Sequence, residues 1–507
     1  MANTAPRFAA LLEQERERPA FHCAGFTATR GELATASERA AAHLASLGFS
    51  RGDVLAVCLP DGGAWLQLLF ACARLGVLMV PITTRYHVQE TRHVVEASRA
   101  KGIAVTAEFL GVGYAALARE IQSAVPGLAH IIDVPEAAKF LAVDAALPPA
   151  PSTGEPGDPL CIFSTSGTTG NPKLAVHDQQ GIAQHAQNAA RELAIGKDSV
   201  LLCALQLPGV YGFVQALAAM AGGACCVFLQ VYSTQAVVDA IAKFRATHFF
   251  SSDGMFDAVM NMPRADFKTW RYGGLADFAG YADQVVARAE KEFGIRLVGL
   301  YGSSECFALT SAQRYDDPLA QRCRSGGRPM PGIEVRAAHV DSGAVLPDGE
   351  RGELQFRGYN VMTGYLNNPA ATAGAFTPDG WLKSGDLGYT EKDRFIYLSR
   401  LKDSLRLRGF LVDPTEIEEF LATHAEVIDA QVVGVNRVGE GDMAIAFVRK
   451  RNAALDEAQL LAFCKAGIAG FKVPRRIVFV DSYPSSEGPN GTKILKNRIR
   501  EMAERLV

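Results

Sequence analysis

The chain has 507 residues, which predicts several domains, since a single hydrophobic core seldom serves more than about 250–300 residues. Hydrophobic residues make up 48% and charged residues 21%, and the net charge of −3 gives no overall field that would attract nucleic acid or an anionic membrane.

Ten cysteines are scattered without CxxC spacing, so we expect buried thiols in a reducing, cytoplasmic protein. The N-terminus lacks the apolar core of a signal peptide. The apolar stretch 64–82 contains Gln67 and Arg74, which favours a buried helix and strand over a membrane span.

Helix and strand patterns alternate through the first three hundred positions. Residues 31–48 have helical periodicity that ends at Gly48, and a short apolar run at 53–58 is typical of a buried strand. A helix is predicted over 63–75 and a strand over 77–81. Further strands are predicted at 103–106, 131–133, 200–204, 225–229, 247–250 and 296–300. Strands separated by helices predict parallel α/β layers.

The pattern changes from about residue 323, where Gly and Pro become frequent and strands at 333–335, 352–357 and 394–398 suggest a β-rich subdomain. A charged junction at 400–403 precedes a compact segment that mixes helices and strands. We therefore predict an α/β fold with two domains. Residues 1–400 form a large N-terminal domain of layered α/β subdomains plus a β-rich subdomain, and residues 401–507 form a small α+β C-terminal domain.

One hydroxylic, glycine-rich segment follows the apolar run 160–163. It reads Ser164-Thr165-Ser166-Gly167-Thr168-Thr169-Gly170-Asn171-Pro172-Lys173. Its backbone can close on an anion and present many donors, and Lys173 adds a positive charge, as a triphosphate requires. The spacing is not that of a GxxxxGK[ST] loop. A plain Ser/Thr/Gly linker is the alternative, but it would not combine these positions with a buried strand and a terminal Pro-Lys.

This segment resembles the phosphate loop of the adenylate-forming superfamily, which comprises acyl-CoA synthetases, stand-alone adenylation domains and beetle luciferases. Other segments match in the family's order, namely 301–305 (YGSSE), 352–358 (GELQFRG), 364–365 (GY), 381–386 (WLKSGD), 399–409 (SRLKDSLRLRG) and 491–493 (GTK). The resemblance implies a ligase that uses ATP, Mg²⁺ and coenzyme A. An acid and ATP first give acyl-AMP and pyrophosphate, and the acyl group then passes to the thiol of coenzyme A.

The resemblance also assigns roles to residues of the large domain. Tyr301 stacks on adenine, Ser304 binds the α-phosphate or the acyl carboxylate, and Glu305 holds Mg²⁺, a hard cation that prefers oxygen ligands. Asp386 accepts both ribose hydroxyls, and Arg400 also binds the ribose. The positions assigned to the nucleotide are Thr165, Ser166, Gly167, Thr168, Thr169, Gly170, Lys173, Gly274, Leu275, Tyr301, Asp386 and Arg400.

The small domain is expected to be mobile and to carry the remaining catalytic group. Lys493 matches the family lysine that bridges the acyl carboxylate and the nucleotide, so that the predicted catalytic residues are Lys493, Glu305 and Ser304. Lys402 takes the hinge position, and Gly409 lines the tunnel through which the thiol of coenzyme A enters. The loop before Lys493 is longer than the common pattern, but the Gly-x-Lys-Ile sequence is intact.

The identity of the acid is read from the predicted acyl pocket. The resemblance places this pocket at Gly209, Tyr211, Phe213, Asp253, Phe256, Gly302 and Phe307. Gly209 stands where many relatives carry His. Relatives that activate amino acids place an Asp in the neighbouring segment, and the lack of Asp between positions 201 and 230 therefore argues against an α-amino acid. Asp253 and Asp277 either meet a polar substituent or face solvent. The aromatic residues favour an aryl or a short-to-medium carboxylic acid.

Two alternatives stay open. The first is a stand-alone enzyme that loads an acyl group onto the phosphopantetheine of a carrier protein. The second is a non-catalytic nucleotide- or acyl-binding protein, against which Lys173, Glu305, Asp386, Arg400 and Lys493 argue. Coenzyme A as the acceptor fits the lack of an appended carrier domain and the basic C-terminal region, where Arg406, Arg475 and Arg476 are candidates for its phosphates. The expected partners are thus a small carboxylic acid and coenzyme A, with no nucleic acid and no integral membrane association.

Overall fold

The structure is a computed structural model, which describes most of the chain. The described residues are 8–13, 15–165, 173–263, 265–277, 282–340, 342–401, 405–408, 410–412, 414–437, 441–451, 454–488, 491–494 and 496–506.

The chain begins with a short 3₁₀ helix at Phe8–Leu12 and then alternates strands and helices. The elements up to residue 133 are β1 (Pro19–Cys23), β2 (Phe26–Thr29), α1 (Arg30–Ser46), β3 (Val54–Cys58), α2 (Gly63–Leu75), β4 (Leu78–Pro81), α3 (Val88–Ser98), β5 (Gly102–Val105), α4 (Tyr114–Ala124) and β6 (His130–Asp133).

The alternation continues to residue 322. The elements are β7 (Pro159–Thr165), β8 (Lys173–Asp178), α5 (Gln179–Glu192), β9 (Val200–Cys203), α6 (Val210–Ala221), β10 (Cys225–Phe228), α7 (Thr234–Phe244), β11 (His248–Phe249), β12 (Ser251–Ser252), α8 (Asp253–Met260), β13 (Tyr272–Ala276), α9 (Ala282–Phe293), β14 (Arg296–Tyr301), β15 (Ser311–Ala312) and α10 (Leu319–Arg322).

Strands dominate the next region, and the small domain mixes both kinds of element. The β-rich region holds β16 (Gly326–Pro329), β17 (Ile333–Ala338), β18 (Gly352–Gly358), β19 (Gly364–Tyr365), α11 (Pro369–Ala375), β20 (Leu382–Glu391) and β21 (Arg394–Arg400). The C-terminal region holds β22 (Leu405–Leu407), β23 (Phe410–Val412), α12 (Pro414–Ala422), β24 (Val427–Arg437), β25 (Gly441–Lys450), α13 (Glu457–Gly467), β26 (Arg476–Phe479), β27 (Ser485–Gly488), β28 (Gly491–Ile494) and α14 (Lys496–Glu504).

Two sheets form the layered part of the large domain. The first has the order β19-β8-β7-β4-β3-β5-β6, and in it β3, β4, β5, β6 and β7 run parallel. All five residues of β3 are buried, as expected for a parallel strand that is covered on both faces. The second sheet contains the parallel strands β14, β13, β11, β9 and β10, and it continues through β15 and β16 into the antiparallel strands β21, β20, β18 and β17.

The predicted fold class is confirmed, with a large N-terminal α/β domain and a small C-terminal domain. Helix α2 has the predicted bounds, and it ends at Gly76, whose φ of 71° is the left-handed conformation that favours glycine after a helix. Helix α1 ends at Ser46 and is capped by Leu47, slightly before the predicted Gly48. The boundary between residues 400 and 401 stays a prediction.

The small domain has its own hydrophobic core. Strands β24 and β25 pair antiparallel, β26 pairs parallel to β25, and α12 packs on β24. All ten cysteines of the protein are described and are free thiols, eight of them buried. No helix in the described part of the chain combines the length and the apolar character that a membrane crossing needs.

Candidate functional site

The two ends of the predicted phosphate segment lie side by side. Strands β7 and β8 pair antiparallel, and Thr165 stands directly opposite Lys173 in the register. The strand before the segment is anchored in the core, since Phe163 is 1% exposed. The predicted nucleotide-binding residues between the strands lie outside the described residues; they are Ser166, Gly167, Thr168, Thr169 and Gly170.

Three residues from distant parts of the sequence meet beside this hairpin. The Lys173 ammonium lies 4.9 Å from the centre of the Tyr365 ring, a cation–π distance. The Tyr365 hydroxyl donates a hydrogen bond of 3.0 Å to Glu305 Oε1. The main-chain oxygen of Glu305 accepts the Met362 N–H at 2.8 Å. The fold thus gathers a cation and a carboxylate, both predicted to act on the triphosphate, around one tyrosine.

A second group joins Tyr301 to Asp386. The Tyr301 hydroxyl donates a 2.5 Å hydrogen bond to Asp386 Oδ2, and the Asp386 carboxylate is buried. The Tyr301 ring stacks against Phe356 at 5.3 Å. Arg400 stands directly opposite Asp386 in the pairing of β20 with β21, while its side chain lies outside the described part. Asp386 thus bonds Tyr301 of β14 and pairs in register with Arg400 of the neighbouring strand β21, although β14 and β20 are not adjacent in the sheet.

The turn that carries Ser304 and Glu305 has an unusual backbone. Phe307, Ala308 and Leu309 have φ values of 58°, 45° and 36°, a left-handed run that costs about 1–3 kcal/mol for each residue. Only glycine fits at position 302, because an added Cβ would lie 2.5 Å from the Ala308 Cα. Such strain persists only where the surroundings hold it, and it is concentrated at functional sites.

Two buried histidines hold this turn. His177 in β8 donates through Nε2 to the Ser304 carbonyl at 2.8 Å, and His185 in α5 contacts the Ala308 carbonyl through Nε2 at 3.0 Å. Burial lowers the pKa of His177 to about 4 and that of His185 to about 3. Both imidazoles are therefore neutral near pH 7, and each positions backbone rather than moving protons.

Part of the predicted acyl pocket is aromatic and tightly packed. The Tyr211 hydroxyl donates to the Gly274 carbonyl at 3.0 Å, which links the start of α6 to strand β13. Gly274 has no room for a side chain, since an added Cβ would lie 2.4 Å from Leu300 Cδ1. The buried rings of Phe213 and Phe307 pack at 5.8 Å. This aromatic group lies next to the Tyr301–Asp386 pair, because Phe307 follows Tyr301 and Gly302 in the same short segment.

Other predicted pocket residues are placed elsewhere. Phe256 is buried in a separate core cluster, where it packs against Phe249 and Trp270. Asp253 is fully buried as the first residue of α8, so a solvent-facing position for it is wrong, and its Oδ1 accepts the Gly254 N–H at 2.9 Å. Leu275, which was predicted to bind the nucleotide rather than the acid, is buried in strand β13.

The predicted residues of the small domain are described only in part. Lys493 lies in β28, opposite Ser486 of β27, and its side chain falls outside the described part. The hinge residue Lys402 and the tunnel residue Gly409 are not among the described residues.

In the large domain, the predicted pocket residue Gly209 precedes α6 and has space around it, because an added Cβ would meet only the Gln206 carbonyl, at 3.3 Å.

Sequence reasoning missed three residues that the fold places at the site. Tyr365 was noted only as part of a matching segment, and the two histidines had no assigned role. His177 lies in the strand that begins at Lys173, and His185 lies on the helix that follows, so their position close behind the phosphate segment was the available signal.

Comparison with known proteins assigns the chain to a family. The AMP-binding enzyme family matches residues 8–366, and its C-terminal domain matches residues 416–487. The chain belongs to this family, and so the predicted superfamily and the predicted enzyme class, an AMP-forming acid–thiol ligase, are confirmed.

Three similar proteins illustrate the range of the relatives. A mitochondrial medium-chain acyl-CoA ligase of Macaca fascicularis is 29% identical over 94% of this chain and 83% of its own length. A sulfoacetate–CoA ligase of Cupriavidus necator is 30% identical over 92% of this chain and 91% of its own length. The solved structure of an amide bond synthetase from Marinactinospora thermotolerans is 26% identical, covers 98% of this chain and 99% of its own, and has a TM-score of 0.87.

Proposed function

We propose that this ATP-dependent carboxylate–CoA ligase activates an aryl or a short-to-medium carboxylic acid at the site between β8, β14 and β20. The location of the site is supported by two contact groups, Lys173–Tyr365–Glu305 and Tyr301–Asp386, which share the segment 301–305. These groups supply a cation and a metal-binding carboxylate for the phosphates, and a ring and a carboxylate for adenosine.

In the first half-reaction the acid carboxylate attacks the α-phosphorus of ATP, forms the acyl–phosphate bond and releases pyrophosphate. Lys173 neutralises phosphate charge, Asp386 accepts ribose hydroxyls, and Ser304 donates to the α-phosphate or the acyl carboxylate. Lys493 places its ammonium between the carboxylate and the nucleotide, where negative charge accumulates in the transition state.

The residues at Glu305 suit Mg²⁺. The carboxylate offers a hard oxygen, and Tyr365 fixes its orientation through Oε1. Among the described residues no three His, Cys, Asp or Glu side chains come together as metal ligands. A single carboxylate fits an ion whose other ligands are phosphate oxygens and water, and such an ion neutralises phosphate charge.

In the second half-reaction the thiol of coenzyme A attacks the acyl carbonyl, the thioester forms and AMP leaves. The small domain turns about Lys402, withdraws Lys493 and brings Gly409 to the adenylate. Coenzyme A as the acceptor is supported by the relatives, two of which are named as CoA ligases. Ten free cysteines support a reducing compartment such as the cytoplasm.

The acid class is inferred from the aromatic part of the pocket. Phe213 and Phe307 are buried and pack together, and we infer that they supply an apolar wall and that Tyr211, bonded to the Gly274 carbonyl, closes one end. Aromatic walls of this kind favour flat or compact apolar groups over polar ones.

The test is pyrophosphate release with ATP, Mg²⁺ and a panel of aryl, short aliphatic, medium aliphatic and hydroxy acids, with and without coenzyme A. We expect release that depends on an aryl or short-to-medium acid and rises with coenzyme A, together with a thioester product. Acid-dependent release without thioester formation would instead support the carrier-protein loader. Absence of release with every acid would argue against the proposal.

A further inference from the structure

Lys472 joins the two domains through two carboxylates. Its Nζ lies 3.0 Å from Glu90 Oε1 in α3 of the large domain, and it also pairs with Glu416 in α12 of the small domain. The side chain is only 5% exposed, so this is a buried pair of contacts rather than a solvated surface charge. Buried charges of this kind persist only when they are paired.

The lysine keeps its charge in this position. Burial alone would lower the pKa of Lys472, but Tyr86, Glu416 and Glu90 together raise it above its ordinary value. The ammonium therefore neutralises two carboxylates that would otherwise repel each other. The bond to Glu416 lies within the small domain, whereas the bond to Glu90 exists only while this face of the small domain is docked.

A hydrogen bond within the large domain fixes the orientation of the Glu90 carboxylate that contacts Lys472. Its Oε2 accepts the His87 N–H at 3.0 Å, in a capping box at the start of α3. Its Oε1 accepts the Lys472 ammonium and also the Ala469 N–H, at 3.4 Å. The Glu90 carboxylate thus caps the first turn of α3 in the large domain and also accepts hydrogen bonds from two donors of the small domain.

Tyr86 lies between Lys472 and the part of the large domain that holds the predicted phosphate segment. Its ring lies 5.1 Å from Lys472 Nζ, and it packs against core residues of both domains. Ser164, in the strand that leads into the phosphate segment, lies near enough to the Tyr86 hydroxyl to lower its pKa, against the larger raising effect of burial. In the same arrangement Arg408, which precedes Gly409, lies close enough to Arg85 to lower the pKa of that guanidinium further, in addition to the effect of burial.

We propose that Glu90 is a positioning residue that docks the small domain, through Lys472, in the arrangement that forms the thioester. This inference rests on the proposed function. Tyr86 of the large domain packs against the core of the small domain that contains Leu405 and Leu407, in the strand just before the predicted tunnel position, so the docked face is the one next to that segment. Glu90 would accordingly favour the second half-reaction and contribute little to the first, in which the small domain must present Lys493 instead.

The test separates the two half-reactions in Glu90→Gln, with Glu96→Gln as the matched control. Gln at position 90 can still accept the His87 N–H, so the helix cap is kept and only the charge is lost. Glu96 lies on the same helix and pairs with Arg92 at the surface, where such pairs contribute little. Acid-dependent ATP–pyrophosphate exchange reports the first step, and single-turnover transfer from bound acyl-AMP to coenzyme A reports the second.

We expect transfer to fall about tenfold in Glu90→Gln while exchange stays near the wild-type rate, since a partly buried charge-assisted hydrogen bond is lost. A Lys472→Met, Glu90→Gln double variant should transfer no more slowly than Lys472→Met alone. Equal loss in both half-reactions, or unchanged transfer, would overturn the proposal.

Hydrogen–deuterium exchange tests the docking contact without measuring enzyme activity. Its result is therefore independent of the test of the proposed function. Deuterium uptake of the peptide around Ala469 should rise in Glu90→Gln and not in Glu96→Gln, because its amide loses the charged acceptor. Unchanged uptake would contradict docking by Glu90 even if the acid remained unknown. Wild-type protein that carries out neither half-reaction would count against the proposed function alone.

Discussion

The predicted nucleotide end and the predicted acyl end of the site are built in different ways. At the nucleotide end, side chains from separate strands are joined by directional contacts, such as Tyr301 to Asp386 and Tyr365 to Glu305. At the acyl end, Phe213 and Phe307 pack by shape, and Tyr211 makes a hydrogen bond to backbone. Directional contacts require particular residue types, whereas packing accepts many, so the first end carries the motifs of the family, and we expect the second to set the substrate.

Within the large domain, the largest effect is expected where the two predicted ends meet, at Gly302. In Gly302→Ala the new Cβ would meet backbone atoms of Ala308 and Leu309 at 2.5–2.7 Å, so the turn with Ser304 and Glu305 must shift. Because displacement by about 1 Å costs roughly 100-fold in rate, we expect pyrophosphate release to fall by about that factor. Gly374→Ala, at a position with nothing within 4 Å, is the control and should leave the rate unchanged. Equal rates for the two variants would show that the turn is not part of the site.

A smaller effect is expected from the directional contact of the nucleotide end. Tyr301→Phe removes the hydrogen bond to the Asp386 carboxylate and leaves the ring. We expect KM for ATP to rise about threefold to tenfold with little change in KM for the acid, since a bond to a charged group is lost. Tyr389→Phe in the same strand as Asp386 is the control. A rise in KM for the acid alone would place Tyr301 at the acyl end.

The pH dependence of stability should reveal the histidines behind the turn. Burial lowers the pKa of His177 to about 4, below its ordinary 6.5, so the unfolded chain takes up the proton first as the pH falls. The stability that neutral His177 contributes is therefore full above pH 6.5 and is lost as the pH falls towards 4. Between about pH 7.5 and 5, the advantage of the wild type over His177→Asn should shrink by about 2 kcal/mol, measured by urea unfolding. The exposed His339→Asn variant is the control, and a constant difference for His177→Asn would contradict a buried neutral imidazole.

The smallest effect is expected at the open side of the acyl end. Gly209→Ala meets only one carbonyl, at 3.3 Å, whereas Gly212→Ala would place its Cβ 2.5 Å from the Gln206 carbonyl. We expect Gly209→Ala to change the free energy of unfolding by less than about 0.5 kcal/mol and Gly212→Ala to cost about 1–3 kcal/mol. Thermal denaturation measures both. A large loss in Gly209→Ala would mean that this side of the pocket is already filled.

The sequence predicted local elements better than it predicted long-range contacts. Helix α2 and strand β3 follow from runs of neighbouring apolar residues, and Glu305 and Asp386 follow from short motifs. The bond from His177 to Ser304 spans 127 positions, and the pair of Lys472 with Glu90 spans 382. No periodicity encodes such pairs, because they arise only when separate elements pack.

The sequence also did not predict which polar residues are buried. Asp253 and His185 have the character of surface residues when read singly, yet both are fully buried. Their partners are backbone groups, such as the Gly254 N–H and the Ala308 carbonyl, which every residue type offers and which therefore leave no signal.

The most direct test of the account is detection of acyl-AMP after rapid quenching of enzyme, ATP, Mg²⁺ and an active acid, in the wild type, in Lys493→Ala and in the exposed Lys465→Ala. We predict that acyl-AMP forms in the wild type and in Lys465→Ala and that its formation is roughly 100- to 1,000-fold slower in Lys493→Ala. Acyl-AMP that formed at the wild-type rate in Lys493→Ala would contradict the assignment of that lysine and the two-step account that depends on it.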